Sequence, residues 1–426
     1  MPRVYPEIAL TAPHPARESS FPAEDRQAPL PGRGPHHADC VESHLMPQPL
    51  EGLRVLEIGT FVSAPYCGKL FAGYGAEVIK IEPPGGDISR AHGPFKDALP
   101  DPETSALFLY LNTAKKSVVL DIGTPEGRRQ FLELVKTADV VIENFRPADM
   151  RRLGLGYETL SAANPRLVVI SITAFGQDGP YTDYESNNLV AFAMGGQMFM
   201  TGTQEGGPLK NGGYQADYQG GLNAFSAGML AVLAAERDGL GQHVDVSVQQ
   251  CMAPILEATI PYYTYMGRWA GVRRGNHMAS FIGIYPCADG HLGIHIMARN
   301  WKPFTDAIGR PDLFDDPRFV TQAARTQHND DLMAEFYAWA AGETKHDVYR
   351  RAGAGRAPIA FVHTMEDLLT SPQLEARGFI QRIDHPVAGE ASYPGPPWWI
   401  GPDGWSHLRA PLLGEHTSQV LGSSAS

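Results

Sequence analysis

The stretch "KNGGYQADYQGGLNA", residues 210–224, sets one carboxylate, Asp217, between the pairs Gly212–Gly213 and Gly220–Gly221. A carboxylate can serve as nucleophile or as acid and base. Glycine permits positive φ and lets another group come close to the chain. The same composition also describes a polar surface turn, and the stretch alone leaves both readings open. Arg151 and Arg152 follow "ENFRP" (143–147) and open a turn near the end of a predicted strand, where ligands of an α/β sheet gather. Lys115 and Lys116 form a pair that can hold phosphate or simply be solvated. His291 and His295 fall in a predicted strand, which puts them on one sheet face. A half-buried strand face explains them better than a metal site, and the nearby Cys287 completes no ligand set. No metal is expected.

Several chemical signatures are missing. No GxGxxG follows the first predicted strand, where the turn reads "GTFVSAP", and neither GxxxxGK[ST] nor GxSxG occurs. That counts against a nicotinamide-dependent oxidoreductase. The four cysteines, Cys40, Cys67, Cys251 and Cys287, form no CxxC pair, which fits a reducing compartment and a cytoplasmic protein. A net charge of −12 argues against a nucleic-acid partner. An anionic ligand needs a local basic pocket instead. No apolar run reaches the ~20 residues that span a bilayer, and the N-terminus lacks a signal peptide's long apolar core. No membrane partner is expected.

The 426 residues, 43% of them hydrophobic, are ample for two or three domains. Residues 1–49 are rich in Pro, His, Arg and Ala and read as a disordered extension. From residue 50, short Val/Ile-rich runs alternate with helical stretches. The runs are "LRVLEIG", "AEVIKIE", "KSVVLDI", "ADVVIEN" and "RLVVISITAFG". This pattern predicts an α/β domain with a buried parallel sheet. In "TPEGRRQFLELVKTA", Thr124 is placed to cap a helix and Pro125 to start it. After Asp217, "GGLNAFSAGMLAVLAAER" reads as a long helix of small residues, and "HVDVSVQ" as another strand. Residues 257–277 are aromatic and basic with weak periodicity, like a crossing segment. A second unit starts near 281 with a hairpin signal at Asp289–Gly290.

These segments together resemble the class III CoA-transferase family, which includes formyl-CoA:oxalate CoA-transferase, carnitine CoA-transferase and α-methylacyl-CoA racemase. The resemblance runs through "GLRVLEIGTFVSAPYCGKLFAGYGAEVIKIEPPGGDISR", "LNTAKKSVVLDIGTPEGRRQFLELVKTADVVIENFRPADMRRLGL" and "NPRLVVISITAFGQDGPY". It continues in the glycine-flanked Asp217, "GQHVDVSVQQ" and "APLLGEHTSQVL", covering roughly 50–418. It implies a large Rossmann-like parallel-sheet domain (50–255), a linker (256–280), a smaller α+β domain (281–370) and a segment returning to the large domain (371–426). It also implies an interlocked homodimer.

The resemblance makes Asp217 the covalent nucleophile that attacks an acyl-CoA thioester and passes through anhydride and aspartyl-CoA intermediates. On this reading the glycines expose backbone N–H groups to oxyanions and leave room for the thioester. An acyl-CoA donor and a carboxylic acid acceptor are the implied partners, coenzyme A enters as substrate, and no permanently bound cofactor is expected. Val62 and Ser63 match the turn near the pantetheine, and Leu120 to Gly123 a backbone segment beside the adenine. Asn144, Phe145 and Arg146 match the CoA cleft, and Arg152 the nucleotide end. Two departures stand out. Pro83 and Pro84 follow "IKIE" where formyl-CoA transferase has a basic residue, so a phosphate contact is either missing or supplied by Arg90. The glycine-rich lid of that enzyme has no counterpart beyond "GVRRGNH", which counts against formyl and oxalate substrates. The alternative within the family is a racemase using Asp217 as acid or base. It needs a partner histidine, and Asn187 stands at or near that place.

Overall fold

The computed structural model describes residues 48–422 apart from 204, 270–272, 274, 280 and 402–403. Residues 1–47 of the expected extension, and part of "GVRRGNH", therefore lie outside the described residues. The first five Val/Ile runs form β1 (Arg54–Glu57), β2 (Glu77–Glu82), β3 (Lys116–Val119), β4 (Val140–Glu143) and β5 (Val168–Thr173). Two very short strands, β6 (Gly202–Thr203) and β7 (Gly207–Pro208), pair as a small hairpin before β8 (His243–Ser247). The six longer strands make one sheet in the order β3-β2-β1-β4-β5-β8, with every pairing parallel.

Side chains alternate between two apolar layers, as the strand period of two requires. Val55, Val140 and Ile170 face a layer that includes Phe71 and Phe225. Leu56, Val141 and Val169 face Phe131, Leu134 and Leu160 on the other side. The first layer is supplied by α1 (Ser63–Gly73) and later by the 24-residue α8 (Gln215–Asp238). Between them come α2 (Ala106–Leu111), α3 (Pro125–Val135), α4 (Pro147–Leu153), α5 (Tyr157–Ala163), α6 (Asn188–Met194) and α7 (Gln197–Met200). Thr124 caps α3 as its sequence predicts, accepting the Gly127 N–H at 3.0 Å, with Pro125 at the first helical position. The chain winds outward from β1 to β3 and then crosses back to β4. The strand order therefore reverses between β1 and β4, and a crevice opens there at the carboxyl ends.

A second, antiparallel sheet has the order β12-β11-β10-β9, from β9 (His277–Ala279), β10 (Ile282–Cys287), β11 (Gly290–His295) and β12 (Ile359–Phe361). It carries its own apolar cluster around Phe281, Phe304 and Phe336. The hairpin turn falls on Ala288–Asp289, one residue earlier than the Asp289–Gly290 signal, because Gly290 already pairs with Cys287. His291 and His295 are exposed on one face of β11, opposite buried Leu292 and Ile294. Among the described residues no cluster of His, Cys, Asp and Glu could hold a metal ion, and no helix is long and apolar enough to cross a membrane. After a last hairpin, β13 (Ile380–Ile383) with β14 (Ala391–Pro394), the chain lies against the parallel sheet. There the His416 N–H reaches the Ser117 carbonyl at 2.9 Å, and Thr417 Oγ1 accepts the Val119 N–H at 3.0 Å.

Candidate active site

A cavity of about 540 Å³ occupies the crevice at the strand reversal. Its walls come from the turn after β1, the ends of β4 and β5, the start of α6 and the start of α8. The side chain of Asn144, the first residue after β4, sews the two central turns together. Its Oδ1 accepts the Thr60 N–H at 2.8 Å, and its Nδ2 donates to the Thr60 carbonyl at 2.8 Å and to Ser63 Oγ at 3.0 Å. A short side-chain amide spans this gap because it offers a donor and an acceptor at once.

Phe61 in the first turn adopts φ +68°, a conformation that residues with a Cβ rarely take. Its N–H donates to Asp87 Oδ1 at 3.2 Å, and its ring meets Tyr214 edge-on at 4.9 Å. Asp87 is buried. Burial alone would raise its carboxyl, but the Lys80 ammonium at 2.7 Å and hydrogen bonds from Lys80 and Ser89 overcome that and hold it at about 2.

Asp217 lies in the first turn of α8 rather than in a loop ahead of it. The sequence placed the long helix only after Asp217, because the four glycines suggested open backbone. Gly220 and Gly221 are instead buried inside α8, where they let it pack closely, Gly221 on α1 and Gly220 on Val248 and Ile172. A Cβ on Gly221 would sit 2.5 Å from the Ser63 carbonyl oxygen, and one on Gly220 2.9 Å from Val248. These two therefore serve helix packing, and their position inside the helix turns their N–H groups away from any oxyanion role. Gly213, at φ +68°, lines the cavity itself.

The Asp217 carboxyl is half-buried and pushed up to about 6 by burial. Lys210 is the one cationic side chain among the described residues of the cavity wall. Asn188 also lines the cavity, and it was not singled out in the sequence. Its Oδ1 accepts the Ala216 N–H at 2.9 Å and the Asp217 N–H at 3.4 Å, while its Nδ2 donates to the Gly213 carbonyl at 3.3 Å. Its neighbour Asn187 caps α6 by accepting the Val190 N–H at 3.1 Å.

The structure thus brings Asp217 together with Val62, Ser63 and Asn144. Leu120, Gly123, Phe145, Arg146 and Arg152 lie outside the cavity wall. Leu120 is buried and Gly123 is exposed, its N–H on Asp121. Phe145 packs on the second apolar layer. Arg146 pairs with Asp149 and Glu185, and Arg152 with Asp149 at 3.0 Å, all at the surface around α4.

Arg90 requires a correction. It is buried, forked onto Glu82 at 2.7 and 2.9 Å, paired with Glu103 at 2.8 Å, and stacked on the Phe108 ring. Its donors are spent inside the protein, so it is not a free cation for phosphate. The same holds for Lys115, whose ammonium is buried on Glu57 Oε2 at 2.7 Å, the Pro65 carbonyl and Asn112. Lys116 pairs with Glu77.

Residues 50–417 match CoA-transferase family III. The chain belongs to that family. The transferase is 34% identical to the succinyl-CoA–D-citramalate CoA-transferase of Chloroflexus aurantiacus over 89% of this chain and 95% of that protein. It is 34% identical to the succinate–glutarate CoA-transferase of Agrobacterium fabrum over 88% of this chain and 95% of that protein. Its fold matches a solved CAIB/BAIF family protein from Brucella suis with a TM-score of 0.79 and 31% identity, covering 88% of this chain and 98% of that one. The transferase is accordingly an enzyme acting on CoA thioesters. The racemase alternative is not favoured. Asn187 is committed to capping α6, and an asparagine carries no proton to exchange near neutral pH.

Proposed function

We propose that this enzyme transfers CoA between an acyl-CoA donor and a carboxylic acid, with Asp217 as covalent carrier. One Asp217 oxygen attacks the thioester carbonyl, and the C–S bond breaks to release CoA thiolate and leave a mixed anhydride. The thiolate then attacks the aspartyl carbonyl, expelling the donor's carboxylate and forming aspartyl-CoA. The acceptor's carboxylate attacks this thioester and displaces CoA thiolate, giving a second anhydride. Attack of the thiolate on the acceptor's acyl carbon yields new acyl-CoA and restores the Asp217 carboxylate. No proton or electron is gained or lost over the cycle.

The observation that carries the reading is a carboxylate at the mouth of α8, facing a cavity at the strand-reversal crevice. Val62, Ser63 and Asn144 would meet the pantetheine end, with Arg146, Arg152 and the 120–123 backbone further out along the cleft. Relatives named for citramalate and glutarate support a dicarboxylic acid as acceptor, and a formyl-CoA:oxalate CoA-transferase of 33% identity keeps oxalate within that class. The reading also includes a large domain (50–255), a linker (256–280), a small domain (281–370), a return segment (371–426) and an interlocked homodimer in the cytoplasm. Exposed apolar side chains such as Leu230 and Leu233 on α8, and Tyr265 and Trp269 beyond it, support a second copy as partner.

The test pairs wild type with Asp217→Asn, using a panel of acyl-CoA donors and carboxylate acceptors with products read by mass spectrometry. The variant should bind CoA and lose turnover by orders of magnitude. Hydroxylamine should trap a wild-type adduct on the 210–224 peptide. Normal transfer by the variant would remove Asp217 from the reaction.

A further inference from the structure

We infer that Asn188 is the positioning residue for Asp217, a neutral clamp that fixes the start of α8 while the aspartyl group changes charge. This inference rests on the aspartyl reading above. The first N–H groups of a helix have no partner within it. The N-cap residue of α8, Tyr214, supplies no side-chain cap. Asn188, 28 and 29 residues earlier in the chain, caps from outside, holding the N–H groups of Ala216 and Asp217 on a single oxygen. Its amide nitrogen reaches the other side of the helix start, the Gly213 carbonyl in the loop leading into α8. One side chain therefore pins both the loop and the first turn to the start of α6.

The choice of an amide has a chemical reason. The clamp needs an acceptor toward α8 and a donor toward Gly213, which alanine lacks altogether and aspartate provides only in part. Charge decides further. Asp217 passes from carboxylate to neutral anhydride and thioester and back. An anionic cap would repel the carboxylate but not the acylated forms, so it would bias the cycle toward the acyl-enzyme. A neutral amide holds the helix start equally in every state.

The experiment compares wild type, Asn188→Ala, Asn188→Asp and Asp217→Asn, with thermal melts as a check on folding. Asn188→Ala should lower kcat by about 10- to 100-fold, as small misplacements of reacting groups do, while KM for acyl-CoA stays within about threefold. Asn188→Asp restores the acceptor and recovers most of kcat at high pH. It adds a like charge beside Asp217, so the acid limb of its pH–rate profile should move up by about one pH unit. A purely structural cap would lower the melting temperature of Asn188→Ala and leave kcat of the folded enzyme unchanged. Full kcat in Asn188→Ala, or an Asn188→Asp profile superimposable on wild type, overturns the assignment. If Asp217→Asn turns over normally, the aspartyl reading itself fails and takes this inference with it. If Asp217→Asn is dead while both Asn188 variants behave as wild type, only the role of Asn188 falls.

Discussion

Replacing the proposed nucleophile by its amide should stabilise the free protein even as it abolishes turnover. Burial raises the Asp217 carboxyl from an ordinary 3.8 to about 6. Between those values the folded protein binds a proton that the unfolded chain has released. Folding stability contributed by this group therefore falls as pH rises from about 4 to about 6, and stays low above that. At ~1.4 kcal/mol per pH unit, the ionised carboxylate costs the fold about 3 kcal/mol at pH 7.5 and about 1 kcal/mol at pH 4.5. Asp217→Asn avoids the charge, so the net stabilisation at pH 7.5 should be about 3 kcal/mol.

For a chain of 426 residues the unfolding entropy is ~0.9 kcal/mol per kelvin, so Tm should rise by about 3 °C. Thermal melts of both proteins at matched concentration and without CoA, at pH 4.5 and 7.5, measure the difference. The gap should be distinctly larger at pH 7.5. A variant no more stable than wild type at pH 7.5, or a gap independent of pH, would refute the claim that burial strains this carboxylate.

Three other outcomes follow from the same structure. Sedimentation at micromolar concentration should show a homodimer with little folded monomer, since Tyr265 is 85% exposed in the single chain and Leu230 70%; a stable monomer would contradict the proposed assembly. Arg152→Ala should weaken CoA binding by no more than about fivefold in calorimetry, because its side chain is 76% exposed and already shared with Asp149; a larger loss would place it against the ligand. Gly221→Ala should cost about 1–3 kcal/mol in urea unfolding and lower kcat, because its methyl would press on the Ser63 carbonyl and tilt the start of α8; wild-type stability would show that the contact yields freely.

The parallel strands, the cap of α3 and the convergence of Val62, Ser63, Asn144 and Asp217 were legible because they rest on local pattern or on ordered family segments. What escaped depends on partners that sequence spacing does not reveal. Asn188 caps a helix 28 residues away, and only its place beside another helix-starting asparagine marks it as a capping residue at all. Arg90 and Lys115 read as available cations because Glu82 and Glu57 carry no mark that they will be buried against them. Gly220 and Gly221 read as open backbone, since composition does not distinguish a glycine exposed to a ligand from one pressed against a neighbouring helix.

The buried charges beneath the first turn are better understood as positioning than as a source of stability. A buried ion pair recovers its desolvation cost only with excellent geometry, and apolar residues of similar size often stabilise as well or better. Both members of the Lys80–Asp87 pair, however, also hold the same turn. Lys80 Nζ donates to the Gly59 carbonyl at 3.1 Å, and Asp87 accepts the Phe61 N–H at 3.2 Å. Immediately after those two contacts the backbone passes through the left-handed conformation of Phe61, which costs ~1–3 kcal/mol. Lys80 is fixed in turn by Glu57 at 2.8 Å, and Glu57 by Lys115 at 2.7 Å. Apolar substitutes would fill the space but could not grip the carbonyl and the N–H that lead into a strained residue. The ring of that residue rests on Tyr214, the N-cap of α8, so the charge network reaches the Asp217 helix through one aromatic contact.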